Sequence, residues 1–254
     1  MRSFIKVFGV LFLFLIQLTS CLNDDNSKTP FYYFYDEPVV VTQTGAFPSV
    51  RNESYMFNVP GLAGDTVLKA GNLLWSSFIV ELGARGDVDY LANSVYQYTA
   101  ESFRYERVDS ANVTIPESAE AFKSYLSDDY SAVIALSVLY NYRIDSLWFF
   151  GFRQQDRSNY TYELVLNPEI ESGSSNIPTL YIRAKKISDT SNKAYSRDGN
   201  AIFAFDAADF VKYYRETISN NGRVRFNLKY KTGVDANGND IYRPFMSNPL
   251  SWDF

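Results

Sequence analysis

Two counts limit the reactive side chains of this 254-residue chain: it contains no histidine and a single cysteine, Cys21. Without histidine, Ser-His-Asp and Cys-His catalysis are excluded, and the common zinc, copper and non-haem iron sites lose their usual ligand. Only carboxylate, lysine or tyrosine chemistry, or a metal site made of oxygen ligands, remains possible. We therefore expect no cofactor, no transition metal and no acyl-transfer activity.

Carboxylate pairs are the main remaining route to catalysis, since glycoside hydrolysis uses two acids about 5–9.5 Å apart in a cleft. Asp206 and Asp209 are one such pair, but nothing in the sequence ranks them above the other acidic residues. A carboxylate-based hydrolase is therefore the weakest of three functional hypotheses. We expect that the protein is not an enzyme.

Residues 235–240 place oxygen donors at their first, third and fifth positions, as a calcium-binding loop does. An EF-hand requires Gly at position 6 and Glu at position 12, where this chain has Asp240 and Met246. The pair Asn237-Gly238 between strand-like segments is instead typical of a β-hairpin turn. The sequence favours a hairpin that binds no metal.

Aromatic residues make up 17% of the chain, which favours pleated, half-buried β-structure. Three clusters could form a platform on which sugar rings stack, although packing in the core explains each of them more simply. These clusters are Tyr32-Tyr33-Tyr35, Tyr140-Tyr142 and Trp148-Phe149-Phe150.

The first 20 residues have the three parts of a bacterial secretion signal. A short basic region precedes an apolar stretch at residues 7–16, which is shorter than the ~20 residues of a membrane-spanning helix. The segment Leu18-Thr19-Ser20-Cys21 then resembles the lipobox, whose cysteine thiolate receives a diacylglyceryl group. We expect residues 1–20 to be removed and Cys21 to carry fatty acids such as palmitate, which anchor the chain because each buried methylene contributes ~0.8 kcal/mol.

Residues 21–34 are expected to form a lipidated tether, because residues 22–30 show no apolar periodicity. The acidic pair Asp24-Asp25 is similar to the export tag of surface lipoproteins in Bacteroidetes. It leaves two locations open for a protein anchored to the outer membrane, the cell surface and the periplasmic face.

The overall charge argues against nucleic acid as a partner. Removal of Arg2 and Lys6 with the signal lowers the net charge from −5 to −7, and the remaining basic residues are scattered. Such a chain lacks the basic patch that nucleic acid or an anionic membrane face would attract.

Strand patterns separated by turn signals dominate the rest of the chain. In the first half they predict a small OB-like β-barrel over residues 35–120, followed near Pro116 by a short helix at residues 117–126. The strand-like segments of this half are residues 31–42, 73–82, 88–98 and 102–113.

The second half predicts a β-sandwich over residues 128–254, with a domain boundary near residues 120–128. A second short helix is expected at residues 207–216, with Asp206 as its cap. The strand-like segments are residues 132–142, 146–152, 160–166, 180–184, 201–205 and 224–231. The predicted fold class is all-β, a barrel followed by a sandwich, with one or two short helices.

The strand and loop patterns resemble those of the NigD-like lipoproteins of Bacteroidetes. The loop at residues 66–72 and the strand at 74–82 are similar to the barrel region of that family, and residues 162–164, 180–184, 204–206 and 226–230 to its sandwich strands. The resemblance implies a lipobox, an OB-like barrel and a C-terminal β-sandwich. It implies no activity and no functional residue.

Three triplets of an acid, a hydroxyl residue and an apolar residue resemble the O-glycosylation sequon of exported Bacteroidetes proteins. They would place glycans on Thr66, Ser110 and Ser146.

The sequence favours a non-enzymatic cell-envelope lipoprotein with a binding or structural role, whose partners are the membrane, through the anchor, and an envelope protein. The alternative is a surface lipoprotein that binds glycans and helps to capture polysaccharide.

The substitution Cys21→Ser tests the anchor directly. It removes the only thiol of the chain, so the variant should take up no labelled palmitate. Because the lipoprotein peptidase cleaves only the acylated form, the precursor should accumulate about two kilodaltons heavier than the mature protein. A variant that is still cleaved and labelled would disprove the lipobox.

Overall fold

The computed structural model describes residues 31–81, 88–90, 95–126, 130–154, 159–169, 177–187, 200–218 and 222–253. The protein is mostly β, as predicted, with a closed five-stranded barrel and a second sheet. No helix in these ranges is long and apolar enough to cross a membrane.

Six strands belong to the N-terminal half. They are β1 (Phe31–Gln43), β2 (Ser49–Arg51), β3 (Tyr55–Asn58), β4 (Leu73–Glu81), β5 (Val88–Tyr90) and β6 (Val95–Asn112). The barrel closes in the order β1-β2-β3-β6-β4 and back to β1, and β5 pairs with β6 outside this circle. The β3–β6 pair is parallel and the others are antiparallel, so the predicted OB-like barrel is confirmed.

The barrel core is formed by apolar residues that alternate along the strands, as a half-buried sheet requires. Val39 and Val41 of β1 point inward together with Leu74, Phe78 and Val80 of β4.

Two bulges bend the strands on either side of β4. In β1 the register shifts between Phe34 and Glu37, and Asp36 there has a φ of 56°. In β6 the register against β4 shifts between Glu101, which pairs with Ile79, and Arg104, which pairs with Ser77. Ser102, at this bulge, has a φ of 52°. An extra residue in one strand of a pair increases its bend and twist. The two bulges thus let five strands curl into a closed barrel.

Eight strands follow, in two facing sheets. They are β7 (Ala135–Ile144), β8 (Leu147–Arg153), β9 (Tyr160–Asn167), β10 (Thr179–Lys186), β11 (Ala201–Asp206), β12 (Arg223–Val234), β13 (Asp240–Pro244) and β14 (Leu250–Asp253). One sheet continues from β6 through β11 and β8 to β7, and the other contains β9, β10, β12, β13 and β14.

Aromatic stacking joins these two sheets. The Trp148 ring on β8 lies 5.0 Å from Phe226 of β12 and 5.0 Å from Trp252 of β14, stacked on both. Among the described residues, 23 are buried in the core between the sheets. The expected β-sandwich is therefore present.

Two α-helices accompany the sheets, α1 (Ala119–Leu126) and α2 (Ala208–Thr217). Both lie where the sequence predicts them, within two residues at each end. The N-cap residue of α2 is Ala207 rather than the expected Asp206, and no side chain caps the helix. Asp206, one residue earlier, accepts a hydrogen bond of 2.9 Å at Oδ1 from the Ala208 backbone amide.

The N-terminal boundary of the barrel differs from the expected one. The first strand begins at Phe31 rather than at residue 35, because Phe31–Phe34 pair with residues 78–81 of β4. These four residues, assigned by the sequence to the tether, are part of the barrel wall.

The strand β6 belongs to both halves of the molecule. Its residues 96–108 pair with β3 and β4 in the barrel, and residues 109–112 pair with β11 in the sandwich. The barrel and the sandwich have separate cores, yet one continuous sheet runs through both. The division into two domains near residues 120–128 stays a prediction.

A third apolar cluster joins the two halves, and Phe149 lies fully buried within it beside Trp75 of β4 and Ile202 of β11. Replacing Phe149 with Ala should lower the free energy of unfolding by about 3–5 kcal/mol, since it leaves a cavity in a packed core. Urea denaturation measures this change. Phe47→Ala is the control, because Phe47 is 79% exposed and should change stability by less than about 0.5 kcal/mol. Equal effects of the two substitutions would contradict the packing described.

Candidate functional site

An aromatic pocket of about 200 Å³ lies at the end of the barrel where the chain enters it. Its lining consists of Tyr32 and Phe34 of β1, Tyr55 of β3, Val80 of β4 and Tyr98 of β6. Alternation along β1 places Tyr32 and Phe34 on the same face of the strand. The closure of β3 against β6 brings the other two tyrosines opposite them.

The pocket walls are held by ring contacts that continue into the barrel core. The Phe34 ring stacks on Phe78 at 4.7 Å and meets Phe57 edge-on at 5.3 Å. The Tyr55 ring meets Tyr98 edge-on at 5.8 Å. Such a wall offers flat apolar faces and phenolic hydroxyls, which suit a ligand with both apolar and polar edges.

The opposite face of the same strand carries a second set of aromatic side chains. Phe31, Tyr33 and Tyr35, here called the aromatic strip, are 50%, 58% and 55% exposed. The Tyr33 and Tyr35 rings stack at 6.0 Å with an angle of 5° between their planes. Of the three predicted aromatic clusters, the one that includes Tyr32 is therefore at the surface.

The cluster Trp148-Phe149-Phe150 is packed in the core, the alternative to a stacking platform that the sequence allowed. All three side chains are buried, and they belong to the sandwich core and to the cluster between the two halves. They are unavailable for stacking on a ligand. The side chains of Tyr140 and Tyr142 lie outside the described part of the structure.

A half-buried carboxylate, Glu37, lies directly after the bulge in β1. Its Oε1 accepts a hydrogen bond of 2.9 Å from Asn52 Nδ2. Burial raises the pKa of Glu37, and the hydrogen bond from Asn52 lowers it by less. Asn52 Oδ1 in turn accepts hydrogen bonds from the Ser54 and Tyr55 backbone amides, which positions the start of β3.

Thr66, Ser110 and Ser146, the hydroxyl residues expected to carry glycans, lie in different settings. Thr66 is exposed in the loop before β4, whereas Ser110 is exposed on β6 with its backbone paired to β11. The Ser146 hydroxyl donates a hydrogen bond of 2.6 Å to Asp206 Oδ1. Glycosylation at these residues stays a prediction.

Asp65, the acid before Thr66, holds the loop at residues 65–68 against the barrel. Its carboxylate accepts hydrogen bonds from the Val67 and Leu68 amides and one of 2.5 Å from the Tyr105 hydroxyl. The hydrogen bond from Tyr105, followed by those from the two amides, lowers the pKa of Asp65. The exposure of Thr66 is thus imposed by a fixed turn.

Residues 235–240 form the hairpin between β12 and β13 that the sequence favours. Asp235 Oδ1 accepts hydrogen bonds of 2.8 Å from the Asn237 and Asn239 amides, and Oδ2 accepts one from Asn239 Nδ2. These bonds, led by the one from the Asn239 side chain, lower the pKa of Asp235. The carboxylate thus organises the turn.

Asp206 and Asp209 lie in different settings at the start of α2. Asp206 accepts hydrogen bonds from the Ser146 hydroxyl and the Ala208 amide, while Asp209 is exposed on the first turn of α2. Among the described residues, no group of three or more acidic, His or Cys side chains could hold a metal ion.

Sequence reasoning missed a buried charge cluster on the outer face of the second sandwich sheet. The guanidinium of Arg183 on β10 is buried, pairs with Glu163 of β9 and donates a hydrogen bond of 2.5 Å to the Tyr130 hydroxyl. It also lies 3.8 Å from the centre of the Tyr130 ring, a cation–π contact. The cluster and α1, whose Phe122 packs on Tyr181, cover this face.

Sequence reasoning also missed the pocket as a unit. Tyr32 and Tyr98 could be read as strand residues, but Tyr55 and Val80 gave no signal that they share a site with them. Only the parallel pairing of β3 with β6 brings these side chains together. Cys21, the predicted lipidation site, lies outside the described residues.

No family model and no curated protein matches this chain. Among solved structures, an uncharacterized protein from Parabacteroides merdae is similar over 85% of this chain and 97% of its own, with 16% identity and a TM-score of 0.53. This similarity shows a shared fold.

Two further solved structures are similar at a TM-score of 0.43. One is a NigD-like immunity protein from Bacteroides caccae, which is 11% identical and aligned over 87% of this chain and 99% of its own. The other is a candidate lipoprotein from Bacteroides fragilis, which is 12% identical and aligned over 89% and 96%. The structures similar to this chain thus include a NigD-like protein, as the sequence resemblance leads one to expect.

The substitution Glu37→Gln should make the protein more stable at neutral pH. The pKa of Glu37 is raised in the folded state, so its contribution to stability is complete below the ordinary pKa and is lost as pH rises through the folded value. Glutamine keeps an oxygen that accepts from Asn52 and carries no charge to desolvate. Urea denaturation from pH 4 to pH 8 should show a variant advantage that grows with pH, and an advantage independent of pH would contradict this.

Proposed function

We propose that the protein is a non-enzymatic lipoprotein of the cell envelope, anchored through Cys21, which binds an envelope component in the aromatic pocket of its barrel. The observation that supports this most is the lining of the pocket. It contains three tyrosines, one phenylalanine and one valine, with no carboxylate, amine or thiol. Such a lining suits binding by ring contacts and contains no carboxylate pair of the kind that glycoside hydrolysis uses.

The lipid anchor is supported by the N-terminal sequence. The basic region, the short apolar stretch and the segment Leu18-Thr19-Ser20-Cys21 have the order that lipoprotein export requires. The barrel begins at Phe31, and nine residues separate it from Cys21, where the anchor is expected. Because of the acidic pair Asp24-Asp25, the cell surface is one of two possible locations, and the periplasmic face is the other.

An envelope protein is the first candidate for the bound component. A protein partner would insert a side chain or a short apolar segment between Tyr32 and Tyr98, where aromatic rings supply large contact areas at a low cost in side-chain entropy.

A surface glycan is the second candidate, and the residue types of the pocket lining favour it. Its walls combine the Phe34 ring with the hydroxyls of Tyr32, Tyr55 and Tyr98. A sugar ring has apolar C–H faces and polar edges, so it can stack on the rings and bond to the hydroxyls at once.

Removal of one pocket wall tests the proposal. Tyr98→Ala should weaken binding about tenfold, because one lost ring contact corresponds to roughly 1–1.5 kcal/mol. The lipidated protein, purified from envelope membranes, would be used to capture envelope proteins and, separately, would be titrated with envelope oligosaccharides. Phe47→Ala, at the opposite end of the barrel, is the matched control and should bind as the unaltered protein does.

The outcomes separate the candidates. A protein that is captured by the unaltered chain and by Phe47→Ala, but not by Tyr98→Ala, supports the first candidate. Saturable binding of an oligosaccharide with the same pattern supports the second. If Tyr98→Ala captures proteins and binds oligosaccharides as the unaltered protein does, the pocket is not the binding site.

A further inference from the structure

We propose that the aromatic strip, Phe31, Tyr33 and Tyr35, lies in the headgroup region of the bilayer to which Cys21 anchors the chain. This inference rests on the lipid anchor of the proposed function and adds an orientation to it. It names the bilayer surface as the partner of a face that the pocket does not use.

The strip is exposed to solvent. Each of its aromatic side chains is half exposed or more, as is Tyr32 between them. The strip occupies the outer face of β1, since Tyr32 and Phe34 between them line the pocket on the inner face. Contiguous exposed aromatic groups at a defined place mark an interaction surface.

The strip lies close to Cys21 along the chain. Nine residues separate Cys21 from Phe31 in the sequence, and even a fully extended chain of that length spans at most about 35 Å. The strip is at the start of the barrel, directly after this tether. Lipidation therefore keeps it within about 35 Å of Cys21.

The residue types of the strip suit the headgroup region. Tyrosine and phenylalanine place an apolar ring among the lipid glycerol and acyl groups, and a tyrosine hydroxyl can stay in contact with water and headgroups. The parallel rings of Tyr33 and Tyr35 form a continuous aromatic surface on this face. Residues 31–50 contain no Lys or Arg, so the contact does not depend on anionic lipid.

This orientation has a consequence for the pocket. Tyr32 and Phe34 alternate with the strip along one strand, so the pocket lies at the bilayer surface when the strip is in contact with it. The tip of the β1–β2 turn, with Phe47, lies at the other end of β1 and points away from the membrane. The pocket would then bind a component that is present at the membrane surface, on the cell-surface side or the periplasmic side of the outer membrane.

Tryptophan fluorescence of the lipidated, full-length mature protein in phosphatidylcholine vesicles tests the orientation. The native residues Trp75, Trp148 and Trp252 are buried and provide a constant background. Tyr33→Trp adds a reporter in the strip, and Phe47→Trp adds a matched exposed reporter at the opposite end. Each variant is measured with and without lipids that carry bromine near the headgroup, since bromine quenches tryptophan on contact.

The emission added by Tyr33→Trp should shift to the blue on vesicle binding and should be lost with the brominated lipids. The emission added by Phe47→Trp should show neither change. Added salt and anionic lipid should leave both results unaltered. Equal quenching of the two reporters, or none for Tyr33→Trp, would overturn the proposal.

The same experiment separates this inference from the proposed function. Co-sedimentation with the vesicles shows that the lipid anchor is present. Vesicle-bound protein with an unquenched reporter at position 33 refutes the orientation and leaves the anchor intact, whereas unlipidated protein that stays in solution refutes the anchor. A reporter at position 33 that responds to an oligosaccharide in the absence of lipid would assign the strip to glycan binding and overturn the bilayer contact.

Discussion

Closure of a five-stranded barrel requires its strands to bend, and in this protein two bulges on either side of β4 provide the bend. The bulge in β1 is held by a hydrogen bond of 3.2 Å from the Asp36 amide to Ser77 Oγ. A single extra residue at this point reverses which face of the strand its side chains occupy. From Val39 onward odd-numbered side chains point into the core, whereas before the bulge Tyr32 and Phe34 point inward. Both the pocket and the aromatic strip are products of this reversal.

The sequence predicts those parts of the architecture that depend on local signals, namely the alternation of apolar residues and the residue types of turns. The strands, both helices and the Asn237-Gly238 hairpin follow from patterns within about ten residues. The shared strand β6 could not be found in this way, because its parallel pairings with β3 and β11 join segments far apart in the chain.

The candidate site could likewise not be predicted from local sequence patterns alone. Trp148, Phe149 and Phe150 form a continuous apolar run of the kind that predicts burial, and they are buried. The run from Phe31 to Tyr35 looks equally apolar, and without the bulge its odd-numbered residues would share a face with Val39 and Val41. Composition does not reveal an insertion of one residue, so only the register of β1 against β4 shows that these rings reach the surface.

We propose an anchored protein whose aromatic barrel end is its contact surface in the envelope. Hydroxyl-radical footprinting of the protein in native envelope membranes, compared with the same protein in detergent, tests this claim directly. Oxidation of Tyr32, Tyr33 and Tyr35 should fall in the membrane, while Phe47, 79% exposed at the far end of β1, should be oxidised equally in both. Equal oxidation of all four side chains in membrane and detergent would contradict the account.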